Sequence, residues 1–96
     1  MAITAENLAE KYEISREACD EYSMLTQSRF AAALRAGFIQ TEIAKVTVAG
    51  KKGSVDVEKD EHPKPDVPAD KIRSMKALFK PNGTVTAATA SGIVDG

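Results

Sequence analysis

The C-terminal stretch of the sequence reads Thr84-Val85-Thr86-Ala87-Ala88-Thr89-Ala90-Ser91-Gly92-Ile93-Val94-Asp95-Gly96. Its side chains are small, and none is charged before Asp95. A domain usually closes with a capped helix, a paired strand or a polar tail, because loose ends are poorly ordered. We therefore interpret residues 84–96 as the start of a buried strand that returns to a larger structure, and residues 1–83 as the rest of a single partial domain.

The composition is that of a globular chain, with 96 residues, 43% apolar and 28% charged. No apolar run approaches the roughly 20 residues that a membrane-spanning helix needs. A single cysteine allows no internal disulfide. A domain of this size buries a modest fraction of its surface, so we expect it to be marginally stable and to depend on neighbouring structure. We expect a soluble protein with no membrane contact, and its composition leaves the location unknown.

Two helices are predicted in the first part of the chain. Thr4 is the predicted N-cap of a helix over residues 5–12. Ser15 is the predicted N-cap of a longer helix over residues 16–36, and Gly37 supplies its C-terminal stop.

The middle of the chain alternates valine with polar residues on both sides of a glycine-flanked turn. The valines are Val46, Val48, Val55 and Val57, and the turn is Gly50-Lys51-Lys52-Gly53. This pattern predicts a β-hairpin with a four-residue loop, which would be marginal without a helix over its apolar face. The two prolines of His62-Pro63-Lys64-Pro65 predict an extended, irregular segment after it.

A further helix is predicted to begin at Pro68. Ile72, Met75 and Phe79 recur at helical spacing and form an apolar stripe, and Lys80-Pro81-Asn82-Gly83 predicts a closing turn. The order helix, helix, hairpin, helix, strand indicates an α+β fold. We expect the segment after Asn82 to exchange its amide hydrogens fast, because its partner strands are not in this sequence.

The basic residues are unevenly distributed. From Lys64 to Lys80, five basic side chains stand against two acidic ones, a local excess that can attract an anion such as a nucleotide phosphate. A solvated helix face explains the same lysines. A nucleic-acid module is disfavoured, because the chain as a whole is acidic and lacks clustered aromatic residues.

Two side chains invite catalytic or metal-binding hypotheses. Cys19 has Glu17, Asp20 and Glu21 as sequence neighbours, and this negative charge opposes the lowered thiol pKa that a nucleophile needs. His62 follows Asp60 and Glu61, but no second histidine completes a metal site. We therefore predict no catalytic residue and no metal ligand in this chain.

Several segments of the sequence resemble the thiolases, enzymes that make or break the carbon–carbon bond of a 3-ketoacyl-coenzyme A. Residues 84–96 resemble the thiolase segment G-T-V-T-A-G-N-A-S-G-I-N-D-G, and residues 1–9 resemble the M-G-x-T-A-E-N-x-A that opens the thiolase loop domain. Further matches follow in the family's order: Ile14-Ser15-Arg16-Glu17, Asp20-Glu21, Gln27-Ser28, Ala36-Gly37-Phe38, Glu42-Ile43, Gly50-Lys51-Lys52-Gly53 and Asp60-Glu61-His62-Pro63-Lys64-Pro65.

The resemblance implies that residues 1–83 are a loop-domain segment that binds coenzyme A or acyl-CoA. Lys64 would then meet the nucleotide phosphates, and Ile72, Met75 and Phe79 would contact the adenine side. The small residues of the C-terminal segment would lie along the pantetheine arm, and Met1 would line the acyl end. The residues implied for the pantetheine are Ala87, Ala90 and Ser91.

The resemblance also implies a larger parent enzyme, an acyltransferase of fatty acid β-oxidation or of acetoacetyl-CoA synthesis, with the rest of the thiolase chain as partner. That parent would be a homodimer or homotetramer. Its nucleophilic cysteine would lie before Met1 and its histidine beyond Gly96, so this chain alone would be inactive. The alternative is a structural module that packs between subunits and binds no ligand. The chain departs from the family at Ala88-Thr89, where Gly-Asn is usual, and at Val94. At Lys64 the family commonly has arginine.

Overall fold

The computed structural model describes residues 1–94, and Asp95 and Gly96 lie outside the described part. It contains four helices and one two-stranded antiparallel sheet within that range, so the α+β prediction is confirmed. The elements are α1 (Ala2–Lys11), α2 (Arg16–Arg35), α3 (Phe38–Glu42), β1 (Val46–Gly50), β2 (Gly53–Val57) and α4 (Ala69–Ser74).

Helix α1 begins earlier than the sequence predicted. Thr4 is not its N-cap, because the Met1 carbonyl already accepts the Ala5 N–H at 3.0 Å and the helix starts at Ala2. The helix ends in a Schellman motif, in which Ile14 N donates to Ala9 O at 2.8 Å and Glu13 N to Glu10 O at 3.3 Å. This motif places Glu13 in the left-handed region, at φ 53°.

Helix α2 agrees with the sequence interpretation at both ends. The Ser15 hydroxyl accepts the Ala18 N–H at 3.1 Å, which confirms the N-cap. The helix ends at Arg35, and Gly37 adopts φ 84°, as the predicted stop requires. The short helix α3 follows at once and was not predicted.

The hairpin forms with a tighter turn than predicted. Gly50 pairs with Gly53, so the loop has two residues rather than four. Gly53 at φ 116° allows this, since a side chain is strained there. The register aligns Val46 with Val57 and Val48 with Val55, which puts the valines on one face. All of them are exposed, and no helix of the described chain covers that face.

Helix α4 is shorter than the sequence predicted. Pro68 is its N-cap, and the helix ends at Ser74, so the helical stripe through Ile72, Met75 and Phe79 is wrong. The chain leaves the helix at Met75 with an extended ψ of 137°. The turn over residues 80–83 is confirmed, with Gly83 N donating to Lys80 O at 3.0 Å and Asn82 at φ 55°.

The C-terminal segment is held against α1 and α2 but forms no strand within residues 84–94. The Glu6 carboxylate accepts the backbone N–H groups of Thr84 and Val85 at 2.8–3.0 Å. Thr86 is fully buried, and its N–H donates to the Thr89 hydroxyl at 2.8 Å. These side-chain bonds occupy backbone groups that a strand would pair. The fast amide exchange expected after Asn82 stays a prediction. The division of the chain at residue 84 stays a prediction.

The core is small for a chain of this length. Among the described residues, Ala9, Ile72 and Val85 are the buried apolar side chains. The accessible surface is 7908 Å², whereas a folded monomer of 10.3 kDa exposes about 5,400 Å². The Cα radius of gyration, 16.6 Å, likewise exceeds the about 12.5 Å of a compact domain. The chain therefore exposes more surface than a compact monomer of its size, as is typical of a domain that packs against other parts of a protein.

Candidate functional site

The segment after α4 lines an open cleft of about 600 Å³. Two apolar residues singled out in the sequence, Met75 and Phe79, are in its lining. Met75 is half-buried, and Phe79 is 54% exposed. The cleft thus combines apolar surface with room for a ligand, although these residues lie on an irregular segment and not on a helix.

Ile72 has a different place from the other two residues of the predicted stripe. Its side chain is buried, with 4% of its surface exposed, and belongs to the core. It is not among the residues that line the cleft. Its backbone carbonyl accepts hydrogen bonds from Met75 N and from Arg16 Nη2, both at 3.2 Å.

Arg16, in the first turn of α2, contacts the C-terminal end of α4. Its Nε donates to both Asp20 carboxylate oxygens, at 3.0 and 2.9 Å, in an ion pair with Asp20 nearly buried. Its Nη2 lies 3.2 Å from Ile72 O, 3.4 Å from Arg73 O and 2.8 Å from Met75 O. These are carbonyl groups of the kind that a helix C-terminus leaves without partners. Arg16 also lines the cleft.

The cleft is lined by three cationic side chains, Arg16, Lys76 and Lys80. The Asp20 carboxylate compensates the charge of Arg16, and Glu10 Oε2 lies 2.6 Å from Lys80 Nζ in a second ion pair. The Lys80 ammonium lowers the pKa of Glu10, and the Glu10 carboxylate in turn raises the pKa of Lys80. Lys76 is exposed and has no ion-pair partner among residues 1–94. Lys76 is therefore the cation of this cleft best able to meet an anion.

Lys64 lies on the extended segment, outside the cleft lining. Its backbone N–H donates to Gln27 Oε1 on α2 at 3.0 Å, and its ammonium donates to Glu61 O at 2.6 Å. The side chain is exposed. The Gln27 bond ties this segment to the long helix, which fixes where Lys64 stands.

The segments that carry Lys64 and Ser91 meet at His62 and Gly92. A Cβ placed on Gly92 would lie 2.6 Å from His62 Cε1 and 2.9 Å from Nε2, so the imidazole lies directly against this glycine. Lys64 is two residues from His62, and Ser91 is next to Gly92. The structure therefore brings together two of the segments that the sequence had connected.

The turn over residues 86–90 is fixed from α2. Ser23 Oγ donates to Ala88 O at 2.7 Å, and Thr89 Oγ1 donates to Thr84 O at 2.7 Å. Ala87 and Ala90 lie in this turn, Ser91 follows it, and all three are exposed. The Thr89 hydroxyl thus gives a structural reason for the threonine that departs from the family pattern.

Met1 is fully exposed at the start of α1 and contributes its carbonyl to the helix. Ala90 lines a second cleft, of about 570 Å³, between α1, α2 and the C-terminal segment. The predicted site residues are thus divided among the two clefts, the core and open surface.

Cys19 and His62, considered above for catalysis and metal binding, do not line the cleft that follows α4. Cys19 lies half-buried in the lining of the second cleft. Within residues 1–94, no three histidine, cysteine, aspartate or glutamate side chains lie close enough together to hold a metal ion. The absence of a metal stays a prediction. No helix of the described chain is long and apolar enough to cross a membrane.

The arrangement of helices, hairpin and cleft can be compared with known proteins. The family described as "Thiolase, N-terminal domain" matches residues 1–96. The chain belongs to the thiolase family. The mitochondrial 3-ketoacyl-CoA thiolase of Bos taurus is 47% identical over 96 residues, which is 100% of this chain and 24% of that protein.

Solved thiolase structures share the fold as well as the sequence. The Bacillus anthracis acetyl-CoA acetyltransferase superposes with a TM-score of 0.90 at 39% identity, covering 96% of this chain and 23% of that one. Human mitochondrial 3-ketoacyl-CoA thiolase in complex with CoA superposes with a TM-score of 0.83 at 43% identity, over 97% of this chain and 22% of that one. The present chain spans about a quarter of the length of the thiolases it matches.

Sequence reasoning missed two residues of the cleft. Lys76 was part of the basic stretch but was not distinguished from its neighbours. It differs from them by lining the cleft while having no ion-pair partner among residues 1–94. Arg16 gave one signal, its spacing of four residues from Asp20, which predicts an ion pair on one helix face. That spacing does not reveal the contacts with α4.

Proposed function

We propose that this thiolase domain binds coenzyme A in the cleft after α4. The main support is the cleft itself, where Met75 and Phe79 stand beside Lys76. Coenzyme A carries a phosphorylated adenosine diphosphate at one end, so a site for that end needs apolar surface next to positive charge. A human relative, 43% identical, is known in complex with CoA.

The slim pantetheine arm would run along the C-terminal segment. Exposed small residues, Ala87, Ala90 and Ser91, allow close approach of an extended ligand. Lys64 enters the site from the segment that His62 brings against Gly92. In this proposal Met1 lines the acyl end, and the buried Ile72 supports the cleft from below.

The proposed reaction is the one performed by the complete thiolase. An acyl group would pass between a cysteine and coenzyme A, in thiolysis of a 3-ketoacyl-CoA or in condensation to acetoacetyl-CoA. We expect the activated cysteine and its proton-transferring histidine to lie outside residues 1–96. A catalytic unit loses nearly all of its effect when parts are missing, so this chain by itself would bind without turnover.

The direct test is a titration of the 96-residue chain with coenzyme A, followed by amide chemical shifts. We expect shifts at Lys64, Met75–Phe79 and Ser91. Because attraction between charges is screened over about 10 Å at 0.1 M salt, the affinity should fall as salt rises. Dephospho-coenzyme A, which lacks the 3′-phosphate, should bind more weakly.

Two charge reversals give a matched comparison. Lys64→Glu would place a like charge near the phosphates and weaken binding, by about 1 kcal/mol for a partly exposed contact. Lys51→Glu makes the same change at the hairpin turn and should leave the affinity unchanged. Equal affinity of both variants and the unaltered chain, for both ligands and at all salt concentrations, would contradict the proposal.

A second candidate is a packing module that binds no ligand. It is favoured by the accessible surface, which exceeds that expected of a folded monomer by about 2,500 Å², and by the uncovered valine face of the hairpin. An absence of any shift up to millimolar coenzyme A would favour this candidate over the first.

The remaining partners and the setting of the protein are also proposals. We propose acyl-CoA and the rest of a thiolase chain as partners, in a homodimer or homotetramer, and a role in the metabolism of fatty acyl groups. A cytoplasmic or a mitochondrial location fits these partners equally. We propose no role for nucleic acid.

A further inference from the structure

The C-terminus of α4 is joined to the start of α2 by one side chain. The Arg16 guanidinium reaches Ile72, Arg73 and Met75, which are 56 to 59 residues away in sequence. The three carbonyls belong to the last turn of α4 and to the residue that follows it. All three contacts involve Nη2, which carries two N–H hydrogens, so two of the carbonyls share one hydrogen in a bifurcated bond.

Asp20 fixes the orientation of this guanidinium. Both of its carboxylate oxygens accept from Arg16 Nε, and its side chain is only 4% exposed. The ion pair lies on one face of α2, four residues apart, so the rigid helix carries it. Arg16 is consequently held from one side by α2 while it binds α4 on the other.

The chain changes direction at the residue that Arg16 holds most closely. Met75 O is 2.8 Å from Nη2, and Met75 is also where the backbone turns from helical to extended. Residues 75–82 then line the cleft together with Arg16. A change at Arg16 would therefore alter the course of the segment that forms the cleft wall.

We infer that Arg16 is a positioning residue for ligand binding in this cleft: it stops α4 at Ser74 and thereby sets Met75, Lys76 and Phe79 in place. The inference rests on the proposed binding of coenzyme A and assigns Arg16 a role through the backbone of α4. Arg16 does not need to touch the ligand for this role. Its charge is already matched by Asp20.

The test compares Arg16→Lys with the unaltered 96-residue chain. Lysine keeps the charge but has a single ammonium, which cannot bind Asp20 and three carbonyls at once. We expect coenzyme A to bind about ten-fold more weakly, as for the loss of one hydrogen bond to a charged group. In the ligand-free chain, the Met75 methyl and the amides of residues 75–79 should shift, whereas the amides of Val48 and Val55 in the distant hairpin should not.

Two controls separate positioning from general loss of stability. Arg29→Lys makes the same substitution at an exposed position of α2 and should change neither affinity nor shifts. Leu34→Ala removes apolar contact at the separate cleft between α2 and α3; it should lower the stability but keep the affinity of the folded fraction. A merely structural role for Arg16 would make Arg16→Lys behave like Leu34→Ala.

Each outcome decides between the two proposals. If the unaltered chain binds coenzyme A and Arg16→Lys binds equally well, the inference is overturned and the proposed function stands. If the unaltered chain does not bind, the proposed function fails and the positioning role fails with it. If Arg16→Lys does not fold, Asp20→Asn serves instead. It keeps the guanidinium but weakens its anchor, with an expected loss of about three-fold in affinity; an unchanged affinity would overturn the inference.

Discussion

The buried carboxylate of Glu6 holds the C-terminal segment against α1. Its side chain is 3% exposed and accepts bonds from Thr84 N, Val85 N and the Thr84 hydroxyl, at 2.8 to 3.1 Å. These contacts attach the C-terminal segment to α1 across nearly the whole sequence. Glu6→Ala and Glu6→Gln remove the carboxylate in two graded steps.

The expected costs follow from what each variant leaves without a partner. Glu6→Ala leaves the buried Val85 N–H and the partly buried Thr84 N–H unsatisfied, at about 1–3 kcal/mol for each fully buried donor. We expect a total near 3 kcal/mol. Glu6→Gln retains one acceptor oxygen for the N–H groups, and its amide can donate to the Thr84 hydroxyl. It loses the charge assistance, which roughly doubles the strength of such bonds, so we expect a cost of about 1 kcal/mol.

The assay is urea unfolding of the 96-residue chain by far-ultraviolet circular dichroism, combined with hydrogen exchange at Thr84 and Val85. Glu10→Gln is the control, since Glu10 lies on the same helix but is exposed and pairs only with Lys80; it should leave the free energy of unfolding nearly unchanged. The essential result is that the free energy of unfolding decreases from the unaltered chain to Glu6→Gln and again to Glu6→Ala. Equal stability of all three, or unchanged exchange at Val85 in Glu6→Ala, would refute the reasoning.

The pH dependence gives an independent check on the same group. The backbone N–H groups of Thr84 and Val85 lower the pKa of Glu6 below its ordinary value of 4.5. The unfolded chain therefore binds the proton more readily, so the stabilisation is complete above pH 4.5 and is lost as pH falls through the lower, folded pKa. The difference in stability between the unaltered chain and Glu6→Gln should shrink over that acidic window. A difference independent of pH would contradict the assignment.

Three further outcomes are expected. Glu13→Gly should stabilise the chain by about 1 kcal/mol, because Glu13 has a left-handed φ of 53°; Glu21→Gly within α2 should do the opposite, and thermal unfolding distinguishes them. Gly83→Ala should destabilise the chain, because the added Cβ would collide with the Glu6 carboxylate. The expected cost is about 1 kcal/mol or more, as for a lost buried hydrogen bond, and urea unfolding measures it. The purified chain should show no turnover of acetoacetyl-CoA, and turnover that survives removal of contaminants would contradict the proposed division of the catalytic residues.

The local features of the fold could be predicted from the sequence. The Ser15 cap, the Gly37 stop and the turn over residues 80–83 each depend on a few adjacent residues, whose backbone preferences are read directly from the chain. The hairpin was found for the same reason. Its loop length was wrong because Gly50 and Gly53 can end the strands as well as form the turn, and only the pairing decides between the two.

Two of the features that the sequence did not reveal depend on residues distant in sequence. The apolar spacing of Ile72, Met75 and Phe79 is helical, but Arg16 contacts the C-terminal end of the helix from 56 to 59 positions away. Glu6 lies within the predicted first helix, and nothing in the residues around it indicates that it binds groups 78 and 79 positions away. For the candidate site, the sequence located Met75 and Phe79 beside basic residues. It could not identify Arg16, because no local pattern records a contact across the fold.

The hydrogen bond between Glu6 and Val85 also constrains the order in which parts of the chain can fold during synthesis. Synthesis delivers the first helix long before residue 85, so the emerging helix carries a carboxylate whose partners do not yet exist. Helices and the hairpin depend on nearby residues and can form early, whereas closing a loop of nearly eighty residues is slow and costs chain entropy. The hydrogen bond between Glu6 and Val85 can therefore form only after residue 85 has left the ribosome. Until then α1 lacks the contacts with the C-terminal segment that hold it in the fold.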